Sequence, residues 1–210
     1  MPAESLMQSD FVDPYIDPPA VDRLAADWIR DQSRVLALRE LRPMRSASEL
    51  ANLPKSEFMM PGPERDRLVR LILEGTKTAT AALLIDYIEC GDPLPEIGNR
   101  SVLVDSDGHG VAVLTTTDVA VVRLADVTDQ HAIDEGEGDT TAAQWRSTHE
   151  TFWNSDEYRA DFSDPTFPLD DDTLVVLERF AVTERILSGF QAVTRGRMSP
   201  RSFGSKVSRS

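Results

Sequence analysis

Apolar and polar positions divide the middle of this chain into two halves with different periods. From residue 64, "ERDRLVRLILEG" repeats its apolar residues at helical spacing, with Gly75 placed to close the helix. "TATAALLIDYIECG" follows and predicts a second helix ending at Gly91. "DPLPEIGNR" is rich in turn formers. Beyond it "SVLVDS", "GVAVLTTTDV" and "VAVVRLADV" carry the β-branched runs of strands, with "DSDGHG" as a hairpin loop between the first two. "DTTAAQWRSTHETFW" predicts a helix capped by Asp139 or Thr140, and "DDTLVVLERFAVTE" a closing strand. Helices, then strands, a helix and a last strand define an α+β fold.

Two flanking segments break this pattern. Residues 1–62 form an N-terminal extension. "FVDPYIDPPA" is extended by its prolines, and "VDRLAADWIRDQSRVLALRELR" has a helical stripe at Leu24, Trp28, Val35 and Leu38. Residues 63–184 form the core domain. Residues 185–210 form a basic tail, Ser- and Gly-rich and expected to be disordered.

Charge sharpens the contrast. The 210-residue chain carries −14, of which the tail contributes +6 and the rest −20. Such a balance repels nucleic acid and anionic membrane as a whole, so DNA is not an expected partner. The single cysteine, Cys90, excludes an internal disulfide and a thiolate metal site, and suits a reducing cytoplasm. The start of the chain has no signal-peptide pattern, and no run approaches the ~20 apolar residues of a membrane span.

The candidate chemistry begins at "EGTKTATAALL". On a helix starting near Thr76 to Thr78, Lys77 and Thr80 share a face. A threonine hydroxyl needs a nearby base to become a nucleophile, and a lysine whose pKa is lowered by burial can be that base. The ordinary reading is a capping threonine, Thr76 or Thr78, beside a solvated lysine. The acidic loop "EGEGD" sets Glu135, Glu137 and Asp139 around two glycines. It is either a ligand-approaching loop or an acidic turn before a helix N-terminus, and a hard-metal site is a minor alternative. Arg146 and His149 lie three apart on the next helix and suit phosphate or base contacts, whereas Trp145 and Phe152 read as core. Asp118, at the end of "TTTD", is a candidate cleft residue or a plain strand-edge residue.

Taken in order, "GTKTATAALL", "GDPLPEIGNRSVLVDSDG", "TTTDVAVVRLADVT", "EGEGDTTAAQWRSTHETFW" and "LVVLERFAVTE" resemble the bacterial ASCH-domain family of the PUA-like superfamily, over residues 64–184. The resemblance implies a small, partly open β-barrel flanked by helices around a cleft. It also implies recognition of RNA or a nucleobase without a cofactor. Relatives include single-stranded ribonucleases and small amidohydrolases acting on N4-acetylcytidine. The hydrolases use a Lys-x-x-Thr pair, matched by Lys77 and Thr80, and a glutamate. Glu135 matches that glutamate best, through His131 and Ala132 of "DQHAIDE", and Glu137 is second.

Three functions follow from the resemblance. The first is amide hydrolysis of an N4-acylated cytidine or similar nucleoside. It would use Lys77, Thr80, Glu135 and Glu137, with Thr78, Arg146, His149 and Asp118 contacting substrate. The second is RNA cleavage with His149 as acid or base. The third is a non-catalytic RNA-binding or regulatory module in which Lys77 anchors phosphate.

Overall fold

A computed structural model describes residues 47–186. The helix expected over the N-terminal extension, and the tail beyond 186, lie outside the described residues. The elements in chain order are α1 (Ala47–Ala51), β1 (Lys55–Ser56), α2 (Pro63–Glu74), β2 (Ala79–Leu83), α3 (Leu84–Cys90), β3 (Arg100–Val104) and β4 (Gly110–Arg123). There follow a 3-10 turn (Leu124–Asp126), α4 (Asp129–Glu135), α5 (Ala142–Trp153), α6 (Asp156–Arg159) and β5 (Leu174–Arg185). The fold is α+β, as the element order predicts.

The five strands form one sheet in the order β1-β3-β4-β5-β2. β1 joins β3 in parallel, and every other pairing is antiparallel. β1 and Phe58, which packs against α2, precede residue 63, so the folded unit starts before the expected domain boundary. The two predicted strands "GVAVLTTTDV" and "VAVVRLADV" are one 14-residue strand, β4, bulged between Thr116 and Asp118.

The alternation of β5 assigns the two faces. Val175 and Leu177 point to the cluster of Trp145, Trp153, Ala132, Ala81 and Leu83, under α4 and α5. Val176 points the other way, to Ala82, Tyr87, Val119 and Val121. Phe180, on the same face, packs with Phe58, Leu68, Ile72 and Leu114 under α2. Helices thus cover both faces of the sheet.

The largest correction concerns "TATAALL". Ala79–Leu83 is a strand, fully buried and antiparallel to β5, and the helix α3 starts only at Leu84. Alanine favours a helix when alone, but pairing with β5 and burial on both faces override propensity here. Gly91 does close α3 in the left-handed region, as Gly75 closes α2.

Candidate active site

Lys77 occupies the turn between α2 and β2. The backbone N–H groups of Thr76 and Lys77 both donate to Leu71 O at the end of α2, at 2.9 and 3.1 Å. From the other side, Thr78 N donates to Asp134 O at 2.8 Å, and Thr78 Oγ1 donates to the same oxygen at 3.2 Å. Asp134 in turn pairs with Arg179 of β5. The lysine stem is therefore clamped between α2, α4 and the sheet.

The loop after α4 is held just as closely. Gly136 ends α4 at φ 67°, and a Cβ there would lie 2.3 Å from Thr76 O. Only glycine permits both the left-handed backbone and this approach. The contact carries Glu135 and Glu137 over Lys77 from two sides. Lys77 Nζ, 1% exposed, donates to Glu137 Oε1 at 2.5 Å and lies 3.6 Å from Glu135 Oε2. The Phe58 ring centroid is 5.7 Å from the ammonium, and Arg67 reaches Glu137 Oε2 at 3.7 Å.

Behind Glu135 stand two histidines. His131 Nε2 is 2.9 Å from Glu135 Oε1, and His149 Nε2 is 3.6 Å from Oε2. The His149 ring stacks on Trp145 at 4.0 Å, and its Nδ1 meets Trp145 O at 2.9 Å. The two carboxylates answer this environment in opposite ways. Burial alone would raise Glu135, but Lys77, His149 and the hydrogen bond from His131 outweigh it and hold the carboxyl far below the usual range. Glu137 is pushed up, chiefly by desolvation, and Glu135 adds to the rise against the pull of Lys77. Burial also lowers His149, which keeps the imidazole neutral at neutral pH.

The structure gathers Lys77, Glu135, Glu137 and His149 of the predicted residues, and disperses the others. Thr80 lies on β2, not on a helix, so three-residue spacing no longer sets it beside Lys77. Its Oγ1 is buried and, among the described residues, makes no hydrogen bond, to Lys77 Nζ or to any other group. Thr78 spends its hydroxyl on Asp134 O. Arg146 points along the outside of α5 to Glu150 and Asp171, at 2.7 and 2.6 Å. Asp118 is exposed at the β4 bulge. Among the described residues, Glu135, Glu137 and Asp139 do not come together as a metal set, and Lys77 holds the place a cation would take. The N-cap of α5 is Thr141, one or two residues later than expected, with its hydroxyl on Gln144 N. Trp145 is core and Phe152 packs partly buried against the same cluster, as expected; Tyr87 is core as well.

Sequence reasoning missed His131 as a partner of Glu135. The i, i+4 spacing of His131 and Glu135 becomes informative only once "DQHAIDE" is read as a helix. It also missed Phe58, hidden in a proline-broken stretch.

The ASCH domain family matches residues 57–184. The chain belongs to that family. Among solved structures, it is similar to the ASCH domain of Lactobacillus crispatus JV V101. That likeness has 23% identity and a TM-score of 0.56, over 78% of this chain and 96% of that one. It is also similar to a protein of Enterococcus faecalis V583, with 22% identity and a TM-score of 0.54, over 79% of this chain and 90% of that one. No curated protein matches the sequence. The ASCH domain is a PUA-like fold. No helix among the described residues is long and apolar enough to cross a membrane.

Proposed function

We propose that this ASCH domain recognises a modified nucleoside and hydrolyses an amide on its base, in the manner of an N4-acylated cytidine. The observation that supports it is the split between Glu135 and Glu137 across one buried lysine. Two carboxyl groups whose environments drive them apart divide the acid–base work between them. Glu135 stays ionised and positions Lys77. Glu137, with its side chain 15% exposed, sits at the rim and exchanges protons.

In this reading the substrate carbonyl oxygen takes a place beside Lys77 Nζ, which stabilises the developing oxyanion. Glu137 removes a proton from water as the water oxygen bonds to the carbonyl carbon. It returns that proton to the departing amine as the C–N bond breaks. The products are a carboxylic acid and the free amino base. Thr80 does not attack, because its hydroxyl has no base bonded to it.

Incubating the full chain with N4-acetylcytidine tests this. Turnover should fall about a hundredfold or more in Glu137→Gln. Absence of turnover in the wild-type protein on a panel of N4-acylated cytidines overturns it. A second reading, an RNA-binding module without turnover, draws on the near-complete enclosure of Lys77. It predicts affinity for RNA with no product formed. Cleavage of RNA by His149 has less support, since that ring is buried against Trp145.

A further inference from the structure

The β5 residues that face Tyr87 and Phe58 are Leu174, Val176, Glu178, Phe180 and Val182. Four are apolar and pack into the two cores on this face. Glu178, between them, is a carboxylate in an apolar frame. Its cross-strand partners are Thr80 on β2 and Val119 on β4, so both share its face.

The β4 bulge completes the group. Ala112, Leu114 and Thr116 lie on this face before the bulge, Val119 and Val121 after it. The extra residue, Thr117, resets the alternation. Thr116 is thereby kept beside Glu178, and its Oγ1 donates to Glu178 Oε1 at 2.6 Å. The result is a polar gap between two apolar clusters, with Thr80 and Thr116 buried and Glu178 still reached by solvent.

The gap holds unmet hydrogen-bonding capacity. Thr80 is 6% exposed, and among the described residues its Oγ1 has no hydrogen-bond partner. A buried hydroxyl left so is costly unless something else meets it. Beside it is a carboxylate whose Oε1 is engaged by Thr116. A carboxylate accepts an N–H, and a hydroxyl donates to a ring nitrogen. Ala82, Val119 and Tyr87, all buried, flank this pair with apolar carbon.

We infer that Glu178 and Thr80, with Thr116 as the positioning residue, form a subsite for the amino edge of a nucleobase. Its exocyclic N–H would donate to Glu178 and its adjacent ring nitrogen would accept from Thr80. Cytosine and adenine present that edge; uracil presents the reverse pattern of donors and acceptors. The inference rests on the nucleobase reading above, but not on hydrolysis.

The test is calorimetric or NMR titration of the full chain with cytidine, adenosine and uridine. Cytidine or adenosine should bind about tenfold or more tightly than uridine. Glu178→Gln replaces one of the two acceptor oxygens by an N–H donor, and with Thr116 holding the remaining oxygen it should erase or invert that preference. Thr80→Val, which keeps the shape and removes the hydroxyl, should weaken binding of the amino bases and leave uridine little changed. If Glu178→Gln fails to fold, Thr80→Val decides alone. Equal binding of the three nucleosides by the wild-type protein overturns the inference, as does an unchanged preference in the folded variants. The failure modes are separable. Base preference without turnover removes hydrolysis alone. Turnover with no base preference, or with one these variants leave intact, removes the subsite alone.

Discussion

Glu135 and Glu137 are separated by one glycine and respond to pH in opposite senses. Glu135 binds its proton less readily folded than unfolded, so it contributes stability above its ordinary value of 4.5 that is lost as pH falls below it. Glu135→Gln should therefore destabilise the protein at pH 7 by about 3–5 kcal/mol, the usual range for breaking a buried pair. Urea melts should show the gap narrowing as pH drops below 4.5. Glu137 is raised, so an enzyme that needs it ionised gains activity as pH climbs through a point above 4.5. A pH–rate profile without that acid limb would dismiss Glu137 as the proton carrier. Glu178 is raised by burial, with a partly opposing hydrogen bond from Thr116. Folding then binds a proton there, and stability falls as pH rises from 4.5 towards its folded pKa. Glu178→Gln should melt at a higher temperature than the wild-type protein at pH 7, with the difference gone near pH 4. A carboxylate that lowers stability in this way fits a binding role better than a structural one.

At the scale of elements, Gly136 links α4 to the turn before β2. Gly136→Ala adds a methyl 2.3 Å from Thr76 O in a left-handed backbone. It should lose at least about 1–2 kcal/mol from the backbone alone. It should also uncouple Glu137 from Lys77, seen as lost turnover in protein that still folds. The helix α2, the hairpin after β3 and the strand β5 were legible from periodicity and glycine placement. β2 was not, because alanine and threonine carry little period and its strand character comes from β5, almost a hundred residues away. The pairing of Lys77 with the acidic loop was legible only through the family's motifs. Glu178 interrupts the alternate apolar positions of "LVVLERFAV", but its partners Thr80 and Thr116 emerge only from the strand register.

For the molecule as a whole, the net charge of −14 sets the terms on which it meets ligands. A neutral nucleoside releases no counterions, so its affinity should hardly change between 50 and about 200 mM salt, whereas RNA held through phosphates should weaken steeply over that range. Titrating both at two salt concentrations separates recognition of a base from recognition of a backbone.

Among the described residues, β2 lies at the edge of the sheet and bonds to a single strand, β5. Sheets open most readily from such margins. Release of β2 would bare Lys77 and Thr80 together while β3, β4 and β5 stay paired. The buried lysine would then be exposed by a small local opening rather than by global unfolding. In hydrogen–deuterium exchange, amides of residues 79–83 should exchange faster than those of 175–180 and slow when a nucleoside binds. Exchange of both segments at the same rate would mean that the buried cluster opens only when the whole domain does.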